Sequence, residues 1–150
     1  MLPNIKISVS GLDGLRAEFE ALGGETQTNI MQTAFERGAK VIQNDAQAFC
    51  PVATGRLRGA IEIQTNKRQG NVITKVQVKQ GGTAYKGQYF IAAFQEFGWH
   101  VGSRMGANVA TRKFKQGVHF MRQAVIKNKS SVPEQICREI AEQITNMANR

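Results

Sequence analysis

Over the residues Cys50–Ile61, which read CPVATGRLRGAI, the chain changes from helical to strand periodicity. Pro51 cannot continue a helix, because its ring crowds the preceding turn and it has no amide hydrogen. Gly55 can adopt the positive φ that a tight turn requires. From Ala60 onward apolar and polar residues alternate, as in a half-buried strand. The switch therefore predicts a helical segment that ends at Phe49 and a sheet that begins soon afterwards.

The residues before the switch predict one long amphipathic helix, from about Thr26 or Thr28 to Phe49. Its apolar face repeats at steps of three and four residues and comprises Met31, Phe35, Gly38, Ile42, Ala46 and Phe49. Gly38 lies on this face, where we expect another backbone to approach closely. Upstream, alternation at residues 5–9 predicts a short strand, and helical spacing from Leu12 to Leu22 predicts a short helix before Gly23-Gly24.

Two alternating runs after the switch, at 61–66 and 72–79, are separated by a polar turn and predict a β-hairpin over about 61–79. An apolar stripe formed by Ile136, Ile140 and Ile144 predicts a final helix over about 131–148. The predicted fold is α+β: a small antiparallel sheet packed against the long helix at about 26–49 and against the C-terminal helix. With no internal repeat or composition boundary, residues 1–150 are expected to form a single domain.

Between the hairpin and the final helix the periodicity is weaker. Apolar residues at 90, 93, 94 and 97 favour a short helix that ends at Gly98, although a buried strand through residues 89–94 is an alternative. The aromatic residues that could stack on nucleic acid, Tyr85, Tyr89 and Trp99, fit apolar faces better than an exposed platform. No periodicity extends from Trp99 to Gly117, which predicts a long basic loop that becomes ordered on a partner. A further helix is predicted from Phe120 to about Asn128.

The net charge of +9 is concentrated in the middle of the chain. Residues 63–133 contain 12 lysines and arginines and a single acidic residue, Glu96. Such asymmetry is typical of proteins with an anionic partner, either nucleic acid or an acidic protein surface, although a solvated basic surface is an alternative. Glu96 is expected to be the structural partner of a nearby Arg or Lys. The candidate partner-facing or DNA-facing residues are Arg56, Arg58, Lys67, Arg68, Arg104, Arg112, Lys113 and Lys115.

The sequence contains no recognisable catalytic arrangement. It has no nucleophile elbow, phosphate-binding loop or dinucleotide fingerprint, and its two histidines lack companions at zinc-ligand spacing. Cys50 and Cys137 are expected to be reduced thiols that serve as packing residues. No apolar run approaches the roughly 20 residues that a membrane span requires. We therefore expect no enzymatic activity, cofactor, metal or membrane association.

Three pieces of the sequence resemble the tail-completion proteins of long-tailed bacteriophages. The first is the switch itself, through Pro51, Thr54, Gly55, Leu57 and Ile61. The second runs from Tyr89 to the sequence Glu96-Phe97-Gly98 and is similar to the family's Tyr…Glu-Phe-Gly. The third, Phe120-Met121-Arg122-Gln123-Ala124, is similar to Phe-Leu-Arg-Pro-Ala, with Gln123 where proline is usual. These are the neck or head–tail joining proteins of lambda-like phages, a group that includes minor tail protein Z.

The resemblance implies a non-enzymatic virion component, made in the host cytoplasm, that sits as a ring of six copies at the top of the tail. It implies contacts with the tail terminator and with the head-side connector. The basic middle of the chain would then face either the DNA channel or an acidic neighbour in the neck. The alternative function is a basic protein that binds nucleic acid without sequence specificity, through phosphate contacts and aromatic stacking.

Overall fold

The computed structural model describes residues 19–53, 55–68, 70–79, 87–101 and 113–148. In order, its main elements are helix α1 (Gly24–Phe49), helix α2 (Arg56–Gly59), strands β1 (Ile61–Arg68) and β2 (Asn71–Val78), helix α3 (Gln88–Phe97), strands β3 (Trp99–His100) and β4 (Phe114–Lys115), and helices α4 (Phe120–Asn128) and α5 (Ser131–Ala148). Strands β1 and β2 pair with each other, and so do β3 and β4. The predicted α+β fold, with its hairpin sheet, long helix and C-terminal helix, is confirmed.

Most predicted boundaries agree with these elements to within two residues. The predicted strand at 5–9 and most of the predicted helix before Gly23 lie outside the described residues, although residues 19–21 are helical. The short helix before Gly98 is confirmed as α3, which rules out the alternative of a buried strand. The region 99–117 was predicted to be a loop throughout. Its ends instead form an antiparallel ladder, in which Trp99 lies opposite Lys115 and His100 lies opposite Phe114.

The switch from helix to sheet contains one element that periodicity did not predict. Helix α1 ends at Phe49, and Gly55 adopts a φ of 73°, as expected for a turn at this point. A single helical turn, α2, then intervenes before the sheet begins. Four residues are too few to produce a helical repeat in the sequence, so this turn could not be read from it.

Hydrogen bonds across the hairpin define its register. The Thr65 and Thr74 hydroxyls lie 3.2 Å apart, and the Gln77 side-chain amide donates to Glu62 at 3.2 Å. Opposed residues on the same face of an antiparallel pair bring their side chains together in this way. The burial pattern alternates along both strands, with Ile61 and Val78 buried at the open end of the hairpin.

The chain divides into two compact units. The first consists of the described residues within Met1–Val41, Ile63–Lys75 and Asn128–Arg150. Its buried apolar residues come from α1 and α5 and include Ile30, Ala34, Val132, Ile136 and Ile144. Polar bonds add to this packing: Arg37 pairs with Glu139, and the Lys67 ammonium donates to Asn29 Oδ1 at 2.9 Å.

The second unit consists of Ile42–Glu62 and the described residues within Val76–Lys127. One apolar cluster forms its core, to which the last part of α1, the switch, both ends of the hairpin, α3 and α4 all contribute. The buried members are Ala46, Cys50, Leu57, Ile61, Val78, Ala92, Phe120 and Ala124. The Gln43 amide donates to the Ile61 carbonyl at 2.8 Å and so satisfies a buried backbone acceptor beside the cluster.

Gly38 allows α1 and α5 to pack closely in the first unit. A Cβ atom at this position would lie 2.9 Å from two side-chain carbons of Ile136 and 3.1 Å from Val132 Cγ1. The three nearest atoms therefore all belong to apolar side chains of α5. The space that a side chain at Gly38 would occupy is already filled.

Gly38→Val is expected to lower the free energy of unfolding by about 1–3 kcal/mol, because its side chain overpacks a filled interface. Urea denaturation monitored by circular dichroism measures this. Asn44→Val, at an exposed position of the same helix, controls for the helix propensity of valine. Equal stability of the two variants would contradict the close packing of α5 on Gly38.

Candidate functional site

The side chain of Glu96 connects α3 to the start of α4. Glu96 is 6% exposed, and its two carboxylate oxygens accept hydrogen bonds from the backbone amides of Met121 and Arg122, each at 3.0 Å. These are the second and third residues of α4, whose amides have no partner within the helix. An N-cap side chain normally satisfies them, and here a residue 25 positions earlier does so. The positive end of the helix dipole also favours the carboxylate.

This bonding corrects the predicted role of Glu96. We expected a lysine or arginine side chain as its partner, since basic residues surround it in the sequence. Its partners are backbone amides, including that of Arg122, and the Arg122 side chain is exposed. Two amide donors and a helix terminus satisfy a buried carboxylate without a counter-ion.

Two glycines let the chain cross itself beside this bond. Gly98 has a φ of 87°, and a Cβ atom there would lie 2.5 Å from the Lys115 carbonyl oxygen. A Cβ atom on Gly117 would lie 2.5 Å from the Glu96 carbonyl oxygen and 2.7 Å from the Gly98 nitrogen. The Val118 amide also donates to the Gln95 carbonyl, at 2.6 Å. Both backbone segments therefore need a glycine at the point where they cross.

The start of α4 is set by the same crossing. His119 has a φ of 57°, which turns the chain into the helix, and Phe120 is fully buried in the apolar cluster. Gln123 stands where the resembled family usually has proline. Its backbone amide donates to the His119 carbonyl at 2.8 Å, a bond that proline could not make. The departure from the motif therefore adds a hydrogen bond to the first turn.

The three sequence pieces that carried the resemblance meet in one place. Leu57 and Ile61 from the first piece pack in the same cluster as Phe120 from the third, and Glu96 from the second bonds to the first turn of α4. Pro51 is half-buried after the end of α1. Thr54, the other polar residue of the first piece, lies outside the described residues. The arrangement is a structural joint in which each piece positions another.

The candidate partner-facing residues lie on the surface and not in this joint. The described ones are all exposed: Arg56, Arg58, Lys67, Arg68, Lys113 and Lys115. Lys67 bonds Asn29, and the Lys115 ammonium lies 4.9 Å from the centre of the Trp99 ring. Arg104 and Arg112 lie outside the described residues. Lys113 precedes β4 and Lys115 ends it, with the exposed Phe114 between them in the sequence.

An apolar surface on α3 was missed by the sequence reading. The predicted stripe of Phe90, Phe94 and Phe97 exists, but Phe94 is 38% exposed and Phe97 is 50% exposed. The buried side of α3 is formed by Ala92 and Glu96 instead. Periodicity shows that a helix has an apolar stripe, and it does not show which side of the helix faces the core.

Both cysteines are free, and burial raises the pKa of the Cys50 thiol despite the nearby charge of Arg58, so the thiolate is disfavoured. Among the described residues no three histidine, cysteine or carboxylate side chains are grouped to hold a metal ion. Within that same part of the chain no helix is sufficiently long and apolar to span a bilayer.

A family model that spans the switch and α3 places the chain in a class of bacteriophage tail proteins. Residues 13–98 match the model of the HK97-gp10-like family, described as "Bacteriophage HK97-gp10, putative tail-component". The match covers more than half of the chain, and the protein belongs to this family of phage tail components. No curated protein and no solved structure matches the chain. The protein is a structural component of the tail and is located in the virion.

Glu96→Gln is expected to lower the free energy of unfolding by about 1–3 kcal/mol, because an amide nitrogen cannot accept a hydrogen bond from Met121 or Arg122. Chemical denaturation measures the loss, and Glu142→Gln on the exposed side of α5 is the matched control. A Glu96→Gln variant as stable as this control would contradict the capping role.

Gly98→Ala is expected to destabilise the protein by more than about 2 kcal/mol, since it adds backbone strain at a positive φ to a clash with a carbonyl oxygen. Thermal unfolding of Gly98→Ala and Gly59→Ala makes the comparison. Nothing lies within 4 Å of a Cβ atom at Gly59. If both variants melt at the same temperature, the crossing does not need glycine.

Proposed function

We propose that this protein completes the phage tail at the neck and joins it to the head-side connector as a ring around the DNA channel. In this proposal it is a relative of the tail-completion proteins of lambda-like phages, including minor tail protein Z. Its immediate partners are further copies of itself, six in the complete ring, the tail terminator and the connector. It acts as one 150-residue domain that binds and positions its neighbours and catalyses no reaction.

The observation that carries this proposal is the joint around Glu96. The family match ends at Gly98, yet the third resembling piece begins at Phe120 and bonds directly to Glu96. The resemblance to tail-completion proteins therefore includes residues that lie beyond the family match. These residues contact the matched part of the chain. The motif residues are structural, so the family's shared feature is a scaffold whose exposed surfaces carry the binding.

The basic region between β3 and β4 is the surface that we assign to a partner protein. Residues 63–133 combine their excess of positive charge with an exposed segment, Lys113–Lys115, at one end of this region. Contacts with phosphates are numerous and independent of sequence. A strongly basic channel wall would therefore hold DNA that must pass through it. An acidic surface on the terminator or connector would complement the same positive charge without hindering the passage of DNA.

Charge reversal tests the assignment in a phage that carries the gene. The variant Arg112→Glu/Lys113→Glu/Lys115→Glu is expected to fold normally but to reduce plaque titre at least about tenfold and to leave unjoined heads and tails visible by electron microscopy. The control Lys75→Glu/Lys79→Glu/Lys129→Glu makes the same change in net charge at exposed positions elsewhere. Normal titres and joined particles from the first variant would contradict docking through this region.

The second candidate function is sequence-independent binding of nucleic acid. The exposed rings beside Lys113 and Lys115 favour it, because aromatic faces flanked by cations stack on bases and contact phosphates. Retention of short single-stranded DNA that falls steeply with salt, together with no association with tail proteins, would support this function over neck assembly.

A further inference from the structure

The outer edge of strand β2 has no strand partner among the described residues. In this part of the chain the main sheet consists of β1 and β2 alone, so each strand has one edge that faces away from the other. The Lys79 amide donates to the Ala60 carbonyl at 2.8 Å, so the backbone at Lys79 points towards β1. Because backbone directions alternate along a strand, the amides and carbonyls of Val72 and Thr74 point away from β1 and face the open edge.

The outer edge of β1 differs, because helix α1 runs beside it. The Gln43 side chain donates to the Ile61 carbonyl at 2.8 Å. At the other end of the strand, the Lys67 ammonium donates to Asn29 at 2.9 Å. Within the described part of the main sheet, the edge that is open to another strand is therefore that of β2.

Strand β2 has few of the features that prevent edge strands from pairing. Proteins commonly protect an open edge with a proline, a bulge, a very short strand or several charges. β2 is eight residues long and contains no proline, and Lys75 is its only charged residue. The two side-chain hydrogen bonds across the hairpin share one register, so no bulge lies between them. The side chain of Ile73, in the middle of this edge, is 53% exposed.

The two sides of β2 differ in polarity and therefore select the kind of strand that fits. Val72, Thr74 and Val76 are partly buried on one side, while Ile73 and Lys75 are exposed on the other. A strand that adds to this edge continues both sides of the sheet. It needs apolar residues at alternate positions, with polar residues between them.

The sequence contains one further segment with this pattern. Residues 5–9, which lie outside the described residues, alternate apolar with polar side chains and predict a strand. A strand needs a partner, because its backbone donors and acceptors are otherwise unpaired. The ladder of β3 and β4 has only two residues in each strand, too few to pair with five. Among the described strands, the edge of β2 is the one that fits this segment.

The connection to this segment is long enough to reach a neighbouring copy. The segment joins the described chain at Phe19, whose carbonyl accepts a hydrogen bond from the Gln27 side chain at 2.6 Å. Two residues further along α1, Asn29 bonds to Lys67 near the turn of the hairpin. The nine residues 10–18 therefore start close to the hairpin tip, and they span up to about 30 Å when extended.

We propose that residues 5–9 of one copy pair as a strand with the outer edge of β2 in the next copy. Donor and acceptor are different surfaces, and a contact of this kind repeats from copy to copy until it closes into a ring. The inference deepens the proposed function and rests on it for the choice of a neighbouring copy. Backbone hydrogen bonds provide the pairing, and the apolar side of the segment fixes its register, since a shift by one residue would expose that side.

The purified full-length protein tests this by analytical ultracentrifugation over a concentration series. Thr74→Pro removes an amide that faces the open edge and leaves the bonds between β1 and β2 in place, so it is expected to weaken self-association about tenfold or more. Thr74→Val is the matched control, because it removes the same hydroxyl but keeps the amide, and it is expected to associate like the wild type. Circular dichroism and thermal unfolding confirm that each variant is folded.

The donor segment is tested in the same way. Ile5→Ser/Ile7→Ser removes the apolar side of the segment and is expected to weaken self-association about tenfold or more, whereas Lys6→Ser changes the polar side and is expected to have no effect. This pair also tests the proposal independently of whether Thr74→Pro folds. Association of Ile5→Ser/Ile7→Ser that equals the wild type would overturn the assignment of the donor.

Mixing the variants distinguishes pairing between copies from pairing within one chain. Thr74→Pro retains the donor and Ile5→Ser/Ile7→Ser retains the acceptor, so each is expected to be monomeric at a concentration where the wild type associates. An equimolar mixture is expected to form dimers and nothing larger, because only one intact donor and one intact acceptor remain. A mixture that stays monomeric would overturn the pairing of these two surfaces.

The failure of this inference is separable from failure of the proposed function. Immunogold labelling of purified phage particles reports whether the protein lies at the neck, independently of how its copies contact one another. A wild-type protein that is monomeric at every concentration overturns strand exchange between copies, even if labelling places the protein at the neck. Labelling away from the neck overturns the proposed function.

Discussion

The second unit depends on a buried carboxylate at the start of a helix. Removing a carboxylate from water is costly unless its charge is satisfied, and Glu96 is satisfied by two amides that would otherwise be orphaned. These two hydrogen bonds satisfy both the buried carboxylate and the two unpaired amides of the helix. They also fix the distance and the angle between α3 and α4, so the crossing at Gly98 and Gly117 and the burial of Phe120 follow from their geometry.

This constraint explains why residues far apart in the chain form one signature. Glu96 needs an N-terminal helical turn within reach, Gly98 needs room for a backbone, and Phe120 needs the cluster that Leu57 and Ile61 complete. None of these residues is exposed for recognition of a partner. The signature residues of this chain therefore form a scaffold, and the exposed basic residues around it are the ones that we propose for partner binding.

Local features of this fold could be predicted from the sequence, and long-range ones could not. Helix α1, the hairpin and α5 each contain several repeats of their period, so their types were predicted correctly. Strands β3 and β4 contain two residues each, which is too short for a periodic signal. The first partner of Glu96 lies 25 residues away in the sequence. The charge composition suggested a basic side chain as its partner, because a sequence does not show which backbone amides lack a hydrogen bond. The outward direction of the Phe94 stripe was missed since an exposed and a buried stripe have the same spacing.

The most direct test of this account is amide hydrogen exchange of Met121 and Arg122 in the native protein, measured residue by residue by NMR. First-turn amides of a helix ordinarily lack a partner and exchange rapidly. If Glu96 holds the start of α4, both amides should be protected about as strongly as those in the core of the second unit. In Glu96→Gln at least one of the two should lose this protection, because the glutamine amide keeps a single acceptor oxygen. Rapid exchange of both amides in the wild-type protein would contradict the account.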